Sequence, residues 1–271
     1  MFNFLTNFSN SYFSRENKDC VSYTGPFSNW DDAVSFSTGY CNSTITQKAV
    51  SAITKILSGE KKCEKDTILF DEYQYSLPLI LGLNFTLKYI KQKITVLDYG
   101  GSFASSFFRN FDILSNFNVR WIVVEQEHIV NIAKEKLCHF KNLEFISISN
   151  LKIENPVLKY DVLLLGSSLQ FLKNPGIELK ILLKPCVKSL IFEQTPFVTS
   201  GSTKLTVQQI REPIYDASYP AWHFDENEFL SWIGNHYEIK YQTHNPHVRN
   251  ECGNFTSTLK DYVFTETTNM P

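Results

Sequence analysis

Between Ile94 and Gln126 the sequence leaves little freedom of fold. An apolar, β-branched run, Ile94-Thr95-Val96-Leu97, ends in Asp98-Tyr99-Gly100-Gly101-Ser102. A helical run follows. A second apolar run, Trp121-Ile122-Val123-Val124, then ends in Glu125-Gln126. Such runs read as parallel strands buried on both faces, the first turning sharply into a helix. Asp98 and Glu125 stand 27 residues apart, the length of one strand–helix–strand unit.

Charge narrows the ligand that such a unit suits. Gly100 and Gly101 let the backbone take turn angles closed to other residues and approach a ligand closely. Glu125 falls where a dinucleotide-type fold places its ribose-binding carboxylate. A pyrophosphate favours a helix N-terminus with no anion beside it. A carboxylate ahead of the glycines, here Asp98, suits a cation instead. S-adenosylmethionine carries an ammonium, a sulfonium and a ribose. The residues therefore point to that cofactor rather than NAD, held by Asp98, Gly100, Gly101, Ser102, Glu125, Gln126 and the strand-end Gly166. The same pattern also fits a tight turn with helix-capping acids in a ligand-free α/β domain.

The 271 residues suffice for one large domain, or a domain with an appended module. A hydrophobic share of 43% and a charged share of 20% fit a soluble globular chain. A net charge of −2 gives no electrostatic footprint for nucleic acid. No run is apolar for long enough to span a membrane. Met1 to Leu5 lack the basic region and apolar core of a signal peptide. The six cysteines form no C-x-x-C pair, so neither a disulfide framework nor a zinc site is suggested, and a reducing cytoplasm is expected. No motif implies a metal, although histidines are scattered along the chain at 128, 139, 236, 244 and 247.

Residues 1–24 read as a short helix or a partly ordered arm. Helices are expected from Ser28, over 44–57, and over 77–90 with Pro78 in the first turn. Residues 61–65 read as a solvated connection. Together, 1–90 is predicted to be an N-terminal helical cap. Residues 91–271 then form the main domain, with helices near 105–110, 127–137 and 175–183 and strands near 143–148, 160–165 and 189–193. The segment 194–224 reads as a long polar substrate loop. Asp225 and Glu228 form a capping box for a helix stopped by Gly234. Residues 237–243 and 259–265 alternate as a closing antiparallel pair. The expected fold is α/β: a doubly wound, mostly parallel sheet of about seven strands with a C-terminal antiparallel hairpin.

Several segments together carry a family likeness. They are Trp30 to Tyr40, Phe70-Asp71-Glu72, Tyr75 to Leu79, Val96 to Ser102, Val124-Glu125-Gln126, Ser167 to Leu172, Thr195-Pro196-Phe197, Leu205 to Gln208 and Ser218 to Trp222. From about Tyr23 to Phe264 the chain resembles bacterial class I, Rossmann-like S-adenosylmethionine-dependent methyltransferases met among genes for capsule and O-antigen polysaccharides. The resemblance implies methyl transfer, with O-methylation of a nucleotide-activated sugar, a glycan precursor or a small capsule group as the expected reaction. It also implies that Ser149, near the end of the third strand, lies by the adenine. One departure is that Gly100-Gly101-Ser102 replaces the G-x-G spacing of the class.

Methyl transfer needs the acceptor held in line with the sulfonium, and often a base. Gln170 is a candidate to hydrogen-bond acceptor or cofactor, or else a helix-start contact. Glu193 is a candidate base or hydroxyl ligand, or else a strand-end acid facing solvent or paired with an arginine. Tyr215, Tyr219, Trp222 and His223 cluster in the 194–224 segment, where aromatic walls suit a sugar face or a sulfonium. His223 is the candidate base, since an ordinary histidine titrates near neutrality. Tyr73 and Tyr75 are candidates to close the cofactor pocket, and Arg211 and Lys204 to bind an acceptor phosphate. Competing readings are an NAD-dependent oxidoreductase and a non-catalytic cofactor-binding partner of glycan assembly.

Overall fold

A computed structural model describes residues 20–39, 43–153, 158–184 and 186–267. Its centre is a seven-stranded sheet of β4 (Ile94–Tyr99), β5 (Val119–Glu125), β6 (Leu143–Ser147), β7 (Val162–Gly166), β8 (Ser189–Val198), β11 (Tyr237–Cys252) and β12 (Phe255–Glu266). The spatial order is β11-β12-β8-β7-β4-β5-β6. The β6-β5-β4-β7-β8 portion is parallel; β12 lies antiparallel to both β8 and β11. The order reverses between β4 and β7, leaving a crevice at their carboxyl ends.

Alternation along these strands builds two cores. Val96, Trp121, Val123, Leu164 and Ile191 face one way, against α2 (Ser43–Leu57), α3 (Leu77–Thr86), α4 (Ser105–Arg109) and α6 (Glu127–Leu137). Leu97, Ile122, Val124, Leu163, Leu190 and Phe192 face the other way, towards α8 (Pro175–Leu182) and α9 (Glu226–Ile233). The short α5 (Phe111–Leu114) and α7 (Ile148–Ile153) complete the crossovers. Helix α3 is apolar all round, as a helix buried in a core must be. Its Gly82 lets it lie close on β8, since a Cβ there would come within 2.4 Å of Ile191 Cδ1. At α9 only half of the capping box forms: the Asp225 carboxylate accepts from Glu228 N at 2.9 Å, while Asp225 N donates to Thr203 Oγ1 at 2.8 Å rather than to Glu228.

Three departures from the sequence reading matter for the site. Residues 194–224 are no loop: β8 continues to Val198, and β9 (Lys204–Ile210) and β10 (Ala217–His223) pair antiparallel. Nor is the N-terminal part a purely helical cap. It holds α1 (Trp30–Ser35), α2 and α3, but its β1 (Val21–Phe27) pairs with β9, giving a second sheet of order β1-β9-β10. Pro26 and Pro220 disguise β1 and β10, which are edge strands, where proline is tolerated. The supposed solvated connection near 61–65 holds β2 (Cys63–Lys65), which forms a hairpin with β3 (Ile68–Phe70) and has Glu64 buried. What the sequence suggested for residues 1–19 lies outside the described residues.

Candidate functional site

Strand β4 enters the crevice through Asp98-Tyr99-Gly100-Gly101. Gly100 has a φ of +77°, and a Cβ there would meet Ser168 Cβ at 2.7 Å. Ser168 cannot easily retreat, because its Oγ donates to Tyr99 O at 2.6 Å. A Cβ on Gly101 would lie 2.4 Å from Asp98 Oδ2. The two glycines are thus required by the protein's own packing, before any ligand approaches.

The turn and its neighbours line one cavity of about 440 Å³, within the ordinary range for small-molecule sites. Asp98 and Glu125 both open on it. Glu125 Oε1 accepts from Ser102 N at 3.3 Å and Oε2 from Gln126 N at 2.6 Å. Each carboxylate oxygen takes about two hydrogen bonds, so each keeps capacity for one more donor. Asp98 Oδ2 accepts from Trp121 Nε1 at 3.1 Å.

Backbone strain gathers at the same place. Among the described residues, six non-glycines have left-handed φ: Asp66, Thr67, Ser102, Ala104, Ser167 and Gln194. All but Ala104 line the cavity. They come from the β2–β3 turn, from just past β4 and β7, and from within β8. Such conformations cost roughly 1–3 kcal/mol each and persist where the surroundings enforce them, commonly at functional sites.

Charge is concentrated too. Glu193, within β8 and level with the end of β7, accepts from Ser76 Oγ and lies 3.6 Å from Arg109 Nη1, while Arg109 Nε donates to Gln74 O at 3.1 Å. Ser76 also caps α3, accepting from Leu79 N at 3.0 Å, so the start of that helix is tied to the site. Burial pushes the Asp98 carboxyl up to about 7, and Glu193 and Glu125 add to the effect against the Trp121 bond. Burial also raises Glu125 and lowers the Lys65 amine to about 8.

The Asp98 shift has a measurable sign. An unfolded chain releases this proton near pH 4, the folded protein near 7. Between those values the folded state holds the extra proton, so Asp98's contribution to stability declines as pH rises from about 4 to about 7. Ligand-free Asp98→Asn is expected to lose part of that decline in urea titrations. An identical slope in both proteins would refute the assignment.

The cavity gathers Asp98, Gly100, Gly101, Ser102, Glu125, Gln126, Gly166, Gln170, Glu193, Tyr215, Tyr219 and His223. Tyr215 and Tyr219 join hydroxyls at 2.9 Å. Other expected site residues lie elsewhere. Ser149 pairs with Ser147 Oγ at 2.9 Å, and its neighbour Ile148 lines the cavity instead. Trp222 stacks on Trp30 and donates to Leu172 O at 3.0 Å. Arg211 is exposed, and Lys204 lies near Ser202 at the strand start. Tyr75 bonds Asp112 at 2.6 Å and stacks with Tyr73, away from the crevice.

His223 does not suit the role of near-neutral base. It is fully buried, its ring nitrogens meet Ser257 Oγ at 2.7 Å and Thr206 Oγ1 at 3.1 Å, and burial lowers it to about 3. Glu193 is neither solvent-facing nor free, being paired with Arg109. Sequence reasoning missed Arg109, Tyr23 and the β2–β3 turn, all of which line the cavity. The β-branched and alternating residues Leu205, Thr206 and Val207 were the available signal for β9, and hence for the wall that Tyr23 shares.

No family model matches the chain, and no curated protein matches it. Its fold is similar to a S-adenosylmethionine-dependent methyltransferase from Clostridium acetobutylicum, at 11% identity over 82% of this chain and 99% of that one, TM-score 0.49. It is similar to the N-terminal domain of EvdMO1 with SAH bound, at 12% identity over 72% and 84%, TM-score 0.47. It is also similar to the CcbJ methyltransferase from Streptomyces caelestis, at 13% identity over 64% and 84%, TM-score 0.43.

Proposed function

We propose that the protein is an S-adenosylmethionine-dependent methyltransferase acting on a small hydroxylated acceptor of sugar type. The observation that carries this is that Asp98 and Glu125 open on one cavity with the Gly100–Gly101 turn between them. Glu125 retains two acceptor positions suited to the two hydroxyls of a ribose. Asp98 supplies a carboxylate beside the turn for the ligand's ammonium, and an anion at that point disfavours a pyrophosphate.

The sheet order also supports the reading. Numbering only the central strands in sequence, the order is 3-2-1-4-5-7-6, with the last strand antiparallel. A dinucleotide-binding sheet of order 3-2-1-4-5-6 lacks that inserted strand. Bound here, S-adenosylmethionine would supply a methyl group on a cationic sulfur; the acceptor hydroxyl would take that methyl and give up its proton to solvent, leaving the neutral thioether S-adenosylhomocysteine. Such a displacement needs positioning above all.

Calorimetry with S-adenosylhomocysteine and with NAD tests the reading. Heat is expected from the first and none from the second; heat from NAD alone would reverse the choice. Asp98→Ala is expected to weaken S-adenosylhomocysteine more than about tenfold, or roughly 1.4 kcal/mol, as for loss of a charge-assisted contact. An unchanged affinity would remove Asp98 from the site.

A further inference from the structure

A seat for a nucleoside does not require the β2–β3 hairpin, yet the turn of that hairpin is driven into the cavity. Asp66 and Thr67 hold consecutive left-handed φ values of +50° and +69°. Two-residue turns of that kind favour asparagine and glycine, so this pair is under strain. Three hydrogen bonds hold it. Glu64 Oε2 accepts from Thr67 N at 2.8 Å, Ser105 Oγ on α4 donates to Glu64 O at 3.0 Å, and Thr67 Oγ1 donates to Ile214 O at 3.1 Å. The tip is thereby tied to the floor through α4 and to the roof through the connection between β9 and β10.

Alternation puts Lys65 on the face of β2 that carries the buried Cys63, so its side chain runs inward. Cys63 and Lys65 both lie in the field of Arg109 on α4. The Lys65 amine also interacts with Asp66 beside it, and with Glu193 on β8 and Asp261 on β12. A charge carried by β2 reaches acids on β8 and β12 by projecting over the carboxyl ends of the central strands, where ligands of such sheets bind. Of the other groups packed against the hairpin, Tyr215 faces Asp66 and Glu64, and Lys48 on α2 is paired with Glu212. Burial first, and Arg109 second, lower the Lys65 amine to about 8 against the pull of the three acids. The other candidates for a base are engaged. Glu193 holds Ser76 Oγ and Arg109, Asp261 accepts from Gln194 N at 2.7 Å, and His223 is sealed in the core.

Building on the methyl-transfer reading, we propose that Lys65 is the general base of the reaction, its amine taking the proton from the acceptor hydroxyl as that oxygen bonds to the transferred methyl. The ammonium so formed passes the proton to solvent, with the methyl ether and S-adenosylhomocysteine as the products. Asp66, Glu193 and Asp261 stabilise the ammonium while it lasts, and the pinned turn keeps the amine in place.

Competitive acetylation of the full chain with acetic anhydride, read lysine by lysine by mass spectrometry across a pH series, tests this without an acceptor. Lys65 is expected to react and to titrate near 8, well below the 10.4 or so of an ordinary lysine. A Lys65 that stays unmodified, or that titrates as an ordinary lysine, would overturn the proposal. Lys65→Met and Lys65→Arg are expected to bind S-adenosylhomocysteine within about twofold of wild type. Both are expected to transfer label from a methyl-labelled donor into a small-molecule cell extract more than about a hundredfold more slowly. Arginine keeps the charge but does not give up its proton. Transfer by Lys65→Arg within about threefold of wild type would therefore show that Lys65 serves as a charge alone, and would overturn the proposal. A loss of S-adenosylhomocysteine affinity beyond about tenfold in both variants would place Lys65 on the cofactor and overturn it as well. Because the base must be neutral to act, the wild-type transfer rate is expected to rise with pH and level off above about 8. The residual rate of the variants is expected to lack that limb, which a merely structural lysine would leave in place. If the wild type fails to bind S-adenosylhomocysteine, the methyl-transfer reading itself falls. If it binds that ligand and Lys65 titrates as an ordinary lysine, only the assignment of the base falls.

Discussion

Arg109→Met is expected to remove about 3–5 kcal/mol of stability, the cost of stranding one member of a buried ion pair. The side chains of Arg109 and Glu193 are 11% and 7% exposed, and their nearest charged atoms lie 3.6 Å apart. Without the guanidinium, Glu193 keeps only the Ser76 hydroxyl, and Gln74 O loses its donor. The measurement is a urea midpoint at unchanged slope. Adding Glu193→Gln to the variant is expected to restore much of the loss, which a double-mutant cycle reads as coupling. A single variant within about 1 kcal/mol of wild type would mean that Arg109 does not compensate Glu193.

Gly100→Ala is the second large effect. A left-handed φ of +77° costs an alanine about 1–2 kcal/mol. The new Cβ would also meet Ser168 Cβ at 2.7 Å, and overpacking of that kind costs about 1–3 kcal/mol. Relief requires moving the turn or breaking the Ser168–Tyr99 bond, and either displaces Ser102 from Glu125. Both the melting temperature and S-adenosylhomocysteine affinity are therefore expected to fall together. A variant that melts lower but binds normally would separate the turn from the cofactor.

Local chemistry made the floor of the site legible. The runs around Asp98 and Glu125 are buried strands, and the periodicity of 127–137 matches α6. Asp98 and Glu125 do share a cavity. What escaped depends on partners far along the chain. Glu64 sits in a charged stretch that looks solvated, yet Thr67 N and the surrounding fold bury it. Gly25-Pro26 reads as a turn but is an irregularity inside β1, which pairs with β9 on either side of it, and Pro220 pairs with Val207; no local window contains that partner strand. His223 has the composition of a base and the surroundings of a core residue, and only packing distinguishes them. The glycines were foreseen for ligand approach, whereas Ser168 and the Asp98 carboxylate already forbid a side chain at either position.

The pairing of Val21 with Ile210 has a consequence for the order of assembly. The cofactor floor draws on residues between Ile94 and Glu193, but the roof joins segments nearly two hundred residues apart and bears a large loop-closure cost. The roof is then the last part to form and the first to come away. Amides of β9 are expected to exchange with solvent before those of β4 under native conditions. Entry to the pocket would follow from detachment of this small sheet as a unit, with the nucleoside seat beneath it left intact.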